Sequence, residues 1–200
     1  MIDFGDFKGA AAKLQVEDIV ALAEENGIEP AALRAVIAVE AAGSGFDGAG
    51  RPKILFEPHI LYRLLAEPER QMAVDAGLAY AKWGMQPYPK GSDAQYARLE
   101  AASEINQSAA LKSCSWGMGQ IMGSNHTLAG YGDVETMVFA CMDSEAKQAE
   151  MMVNFIKNAK LLPAIQNLDW AAFARGYNGP AYAKNAYDVK LADAYKRFSA

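Results

Sequence analysis

Apolar and polar positions alternate with a helical period over most of this chain. From Val16 to Glu25 they describe a short amphipathic helix, with Glu17 and Asp18 in its first turn and Gly27 to stop it. A second helix starts at Pro30, a residue suited to the first helical position, and runs to Glu40 with Leu33, Val36 and Ile37 on one face. The period then breaks. Residues 43 to 53 carry Gly43, Gly45, Gly48 and Gly50 and cannot continue a helix, and Ile54-Leu55-Phe56 reads as a short strand, so a small β-hairpin directly after the second helix is expected. Helical periodicity returns over about 58–66, 69–81 and 93–104, then in shorter segments to the C-terminus. Prolines in the Trp83–Gly91 loop forbid regular structure there. Asp133, Ser144 and Asp169 each precede an apolar-periodic segment and are expected to be N-caps. The pattern predicts an α+β domain, mostly helical with one small hairpin, and no repeat or linker divides it.

Composition narrows the function. Hydrophobic residues make up 52% of the 200 residues and charged ones 22%, the balance of a chain that buries a core. Lys and Arg number 19 against 24 Asp and Glu, a net charge of −5, which argues against nucleic acid or an anionic membrane as partner. That charge is uneven: residues 1–150 carry −9 and residues 151–200 carry +4. Apolar runs stop well short of the roughly 18 residues that span a bilayer, so no stable membrane insertion is expected. The stretch Met1–Lys8 lacks the basic and apolar regions of a secretory signal, which places synthesis and first residence in a cytoplasm. Cys114 and Cys141, with no CxxC or histidine cluster, read as small core residues rather than a disulfide, a metal site or a nucleophile.

Glu40 is the first candidate for chemistry. It follows Val36 by four residues and Ile37 by three, on the apolar face, at a helix C-terminus whose dipole disfavours negative charge. Desolvation and dipole both favour the protonated carboxyl, as a general acid requires. The competing reading is a helix that simply ends there with Glu40 in solvent. For a second carboxylate, Glu57 stands between the strand and Pro58, whereas Asp47 among its glycines reads as a turn former. Ser115-Trp-Gly-Met-Gly-Gln120-Ile-Met, followed by Gly123-Ser124-Asn125, offers close backbone approach and a neutral amide suited to sugar hydroxyls; tight packing is the alternative. Tyr177-Asn178-Gly179-Pro180, with Tyr182 and Tyr187 behind, reads as a turn after an apolar helix, its rings suited to carbohydrate or to the core. No P-loop, Rossmann fingerprint, G-x-S-x-G or H-E-x-x-H is present, and His59 and His126 stand alone, so neither cofactor nor metal is expected.

Taken together, Ala-Val-Ile-Ala-Val-Glu40, Gly-Arg-Pro-Lys-Ile-Leu-Phe-Glu57-Pro-His, Ser115-Trp-Gly-Met-Gly-Gln120-Ile-Met and Ala-Arg-Gly-Tyr177-Asn-Gly-Pro resemble the N-acetylmuramidase family of phage endolysins, within the lysozyme and lytic transglycosylase superfamily. The resemblance runs from about Lys13 to Arg197. It implies a 1–12 N-terminal extension and a single lysozyme-like catalytic domain over 13–200, with no separate wall-binding domain. It also implies hydrolysis of the β-1,4 bond between N-acetylmuramic acid and N-acetylglucosamine in bacterial peptidoglycan, leading to host lysis. Glu40 matches the catalytic glutamate, Gln120 the cleft glutamine of Ser-x-Gly-x-x-Gln, and Tyr177 with Asn178 the Tyr-Asn turn across the cleft. Glu57, or a water it positions, would complete hydrolysis, with Ser115 in the cleft; the Trp83–Gly91 loop has no counterpart in the family, and its Trp83 and Tyr88 are expected to stack on a sugar. Ala41-Ala42 departs from the serine usual after the glutamate. The same kinship implies a monomer that waits in the host cytoplasm for a separate holin-type pore, then acts at the periplasm and cell wall. The C-terminal cations Lys184, Lys190, Lys196 and Arg197 would face that wall. Transglycosylation giving 1,6-anhydro ends, a non-catalytic peptidoglycan-binding phage protein and chitin cleavage are the rival functions.

Overall fold

The computed structural model describes residues 2–41 and 43–200; Ala42, half of the expected Ala41-Ala42 departure, lies outside them. Helices α1 (Val16–Glu25) and α2 (Pro30–Glu40) start and end as the sequence predicts. Gly27, at φ 61°, takes the left-handed turn that ends α1, letting Ile28 N–H reach Ala23 O at 2.9 Å. Strand β1 (Ile54–Phe56) is followed by α3 (Pro58–Leu64), α4 (Glu69–Asp75) and the long α5 (Ser92–Lys112). Helix α4 stops six residues short of its expected end because Gly77, at φ 69°, repeats the same terminating turn, Leu78 N–H bonding Ala73 O at 2.8 Å. Helix α5 breaks at Asn106, whose side chain accepts from Ala109 N–H at 3.0 Å and so caps the second half. That break lies just beyond the end expected at residue 104.

Strands β2 (Cys114–Trp116) and β3 (Ile121–Met122) come next, then α6 (Val134–Asp143), α7 (Glu145–Asn158), α8 (Leu162–Gln166), α9 (Trp170–Asn178) and α10 (Tyr187–Phe198). All three expected N-caps hold: Asp133 accepts from Thr136 N–H, Ser144 from Lys147 N–H and Asp169 from Ala172 N–H. The fold is α+β and mostly helical, with a small antiparallel sheet in the order β1-β2-β3. The expected hairpin after α2 amounts only to a single bridge, Phe46 to Pro52; the partner of β1 is β2, with Leu55 opposite Ser115. Pairing across that sequence separation leaves no local turn signal.

The sheet packs into one apolar core, and a second core reaches it at the β2–β3 turn. One gathers Phe56, Tyr96, Leu99, Trp116 and Met137; the other gathers Leu33, Val36, Met118, Met152, Phe173 and Leu191. Trp116 and Met118 thus belong to different cores two residues apart. The Trp116 indole is fully enclosed and donates to Leu111 O at 3.0 Å; burial of this kind is worth about 3–5 kcal/mol. Residues 2–12, left outside the family resemblance, also join the first core: Phe7 packs on Tyr96 and Trp116, with ring centroids 5.2 and 6.0 Å away. Cys114 and Cys141 are buried free thiols, and desolvation pushes both upward. Among the described residues, no helix is long and apolar enough to cross a membrane.

Candidate active site

The C-terminal end of α2 sets Glu40 against α9. Glu40 Oε2 accepts a 2.9 Å hydrogen bond from Asn178 Nδ2, while Glu40 Oε1 and Asn178 Oδ1 are buried without partners among the described residues. Burial raises the Glu40 carboxyl above its ordinary range; the Asn178 bond and the Lys190 charge offset only part of that. Beside it, the Tyr177 phenol is pushed up by burial and by the negative charge of Glu40. The Tyr177 ring stacks on Phe173 at 5.5 Å, and its hydroxyl reaches Gly119 O at 3.5 Å. Tyr177 and Asn178 are the last two residues of α9 rather than a turn beyond it; Gly179, at φ 83°, begins the departure. Adjacent on the helix, the two side chains take different partners, Asn178 reaching Glu40 on α2 and Tyr177 the backbone of Gly119.

Ser115 on β2 and Gln120 in the turn before β3 form a second group. Ser115 Oγ donates to Gln120 Oε1 at 2.8 Å, and Gln120 Nε2 donates to Gly117 O at 2.9 Å and Lys53 O at 3.3 Å. The amide that looked available to sugar hydroxyls is thus engaged at both ends. Gln120 instead braces the turn and holds its own backbone at φ 46°, a left-handed conformation seldom adopted outside glycine. Local sequence could not show this, because Lys53 approaches only through the β1–β2 pairing.

Two further site residues escaped the sequence reading. Gln148, 2% exposed on α7, accepts from Met118 N–H at 2.7 Å and donates to Cys141 O at 2.9 Å. A Cβ at Gly45 would come within 1.9 Å of Gln148 Oε1, which is why a glycine stands there. One turn earlier, Glu145 is 6% exposed. Its Oε1 accepts from Ser44 Oγ at 2.8 Å and Gly45 N–H at 2.9 Å, and its Oε2 from Leu14 N–H at 3.0 Å. Lys13 Nζ lies 3.3 Å from Oε1. Burial opposes ionisation of Glu145, yet these donors together hold its carboxyl below the usual range. Their one legible signal is spacing: polar residues three apart on a helix that is otherwise apolar on that face.

Glu57 belongs to a third group. Alternation along β1 buries Ile54 and Phe56 and turns Leu55 and then Glu57 the other way. Tyr88 Oη donates to Glu57 Oε2, and His59 Nδ1 lies 3.2 Å from the same oxygen. Burial and the adjoining carboxylate raise the Tyr88 phenol, and Trp83, in the same loop, stands 70% exposed. Asp47 is the turn former expected: it binds Ala49 N–H, Arg51 and Ser92, and those bonds outweigh burial to keep its carboxyl low. Between the second and third groups lies a cavity of about 430 Å³, lined by Ser44, Lys53, Leu55, Pro89, Met118 and Gln120 among others. Among the described residues no hydrogen bond or ion pair joins Glu57 to Glu40, and no cluster of three metal-ligating side chains occurs.

Comparison with known proteins matches this architecture. The family model described as Muramidase, N-acetylmuramidase, matches residues 29–199. The crystal structure of the Burkholderia AP3 phage endolysin superposes with a TM-score of 0.86 at 43% identity, covering 94% of this chain and 72% of that one. Comparison with curated proteins found no match. The matched span takes in Glu40, the β2–β3 turn and the end of α9, and the chain belongs to the N-acetylmuramidase family.

Proposed function

We propose that this glycoside hydrolase is a phage endolysin that cleaves the β-1,4 bond between N-acetylmuramic acid and N-acetylglucosamine, with Glu40 as general acid. The observation that carries the assignment is the Glu40 carboxyl itself: half-buried, raised by desolvation and with one oxygen unpartnered. A proton on Oε1 removes the buried charge and turns an orphaned acceptor into a donor, the state needed to protonate a glycosidic oxygen. Positive charge then develops on the muramic acid ring as its bond to the leaving oxygen breaks, and water adds to that carbon, the proton it loses restoring the acid form of Glu40. Asn178 fixes the acid from one side, and the braced Ser115–Gln120 segment shapes the cleft floor. Mass spectrometry of fragments released from purified peptidoglycan should show hydrolysed, reducing ends; 1,6-anhydro ends would replace this mechanism with transglycosylation. The endolysin kinship also supports release to the wall through a separate holin-type pore.

Glu57 fits a positioning role better than that of a second catalytic carboxylate, because the Tyr88 hydroxyl already occupies one of its oxygens. It ties the Trp83–Gly91 loop to β1 and so holds the exposed Trp83 ring where a sugar can stack. Glu57→Gln preserves an acceptor for Tyr88 and should keep kcat within about threefold of the wild type, whereas loss of a catalytic carboxylate costs about 10²-fold or more. Tyr88→Phe should raise KM for long glycans with kcat little altered. A hundredfold fall in kcat for Glu57→Gln would restore Glu57 to the chemistry.

A further inference from the structure

Helix α10 lies against α2, and between them runs a shallow groove of about 430 Å³ lined by Ala38, Val39, Lys190, Asp193 and Arg197. Glu40 does not itself line the groove, but it follows Ala38 and Val39 on α2, and the Lys190 charge is felt at its carboxyl, so the Lys190 end of the groove lies within electrostatic reach of the proposed acid. Lys190 and Arg197 are seven residues apart, two helical turns, and share one face with about 10 Å between them along the axis. Both are exposed, and among the described residues neither has an ion-pair partner; the ammonium of Lys190 merely lies 5.3 Å from the centre of the Tyr187 ring. The one acid in the groove, Asp193, is balanced by Lys196 at 3.7 Å. Of the four C-terminal cations expected to face the wall, only Lys190 and Arg197 line this groove.

A pair of unpaired cations at that spacing suits an extended anionic peptide, which covers about 10 Å in three residues, better than a single compact anion. In peptidoglycan such a peptide hangs from the lactyl group of the muramic acid, the sugar whose bond Glu40 would cleave. We propose that the α2–α10 groove is the subsite for this peptide stem, with Lys190 and Arg197 receiving its carboxylates. The proposal rests on the muramidase reading of Glu40 and makes the enzyme selective for peptide-bearing glycan.

The test compares kcat/KM on three purified substrates: intact peptidoglycan, the same material with its stem carboxylates converted to amides, and glycan strands stripped of peptide by an amidase. Wild-type enzyme should prefer the intact substrate. Arg197→Gln should shrink that preference by about fivefold at low salt, the scale of one exposed ion pair, and Arg197→Lys should largely restore it. An identical preference in wild type and Arg197→Gln, or a loss of equal size on stripped strands, overturns the subsite. If wild-type enzyme frees no muramic acid ends from any of the three, the muramidase reading fails and the subsite falls with it; cleavage of all three without preference sinks the subsite alone.

Discussion

Glu40→Gln should lower kcat on purified peptidoglycan by about 10²–10⁴-fold, the usual contribution of a positioned general acid. The substitution keeps the volume of the side chain, and its amide oxygen can still accept from Asn178 Nδ2. It also removes a carboxyl whose ionisation burial opposes. The thermal midpoint should therefore stay within a few degrees of the wild type or rise, separating lost chemistry from lost structure. Activity above a tenth of wild type would rule Glu40 out as the acid. The same assignment fixes the sign of the pH response. A general acid works while protonated, so the rate should fall as pH rises through the Glu40 value, which lies above that of an ordinary glutamate. Because the Asn178 bond favours the ionised form, Asn178→Ala should move this limb to higher pH in a kcat profile.

The second large effect is on stability. Glu145→Ala should cost about 3 kcal/mol, because removing the carboxylate strands the backbone donors of Leu14 and Gly45 together with Ser44 Oγ. For a chain of this size that lowers the thermal midpoint by roughly 6–12 °C in calorimetry. The loop after α2 loses its tie to α7 at the same time, so cleavage should weaken below the new midpoint as well. Glu145→Gln, which retains one acceptor oxygen, should fall between the two. A native-like midpoint for Glu145→Ala would show that the site is dispensable. Glu145 titrates below its ordinary value in the folded state, so its contribution is present above the unfolded carboxyl pKa and is lost as pH falls through the folded one. The gap between wild type and Glu145→Gln should accordingly close in acid.

Those two residues also mark what could be read in advance. Glu40 was legible because its signal is local: a carboxylate in register with Val36 and Ile37 at the end of one helix. The three N-caps and the ends of α1 and α2 were legible for the same reason. Glu145 and Gln148 were not, because their partners lie about a hundred and thirty residues away in sequence or come from backbone amides of loops. The partner of β1 was hidden likewise, since β2 lies beyond three helices. The bonds of the Gln120 amide to Ser115, Gly117 and Lys53 are likewise revealed only by the folded pairing.

The braced turn has a consequence for affinity. Met118 N–H is held by Gln148, and Gln120 is fixed at both ends of its amide, so the floor of the proposed cleft is set before any glycan arrives. Little conformational entropy remains there for the protein to lose on association, and the ordering cost falls almost wholly on the incoming polysaccharide. Stiff, cross-linked strands of an intact wall are already ordered and forfeit less than short fragments free in solution. A preformed cleft of this kind should therefore hold an ordered strand more tightly than the short fragments released from it.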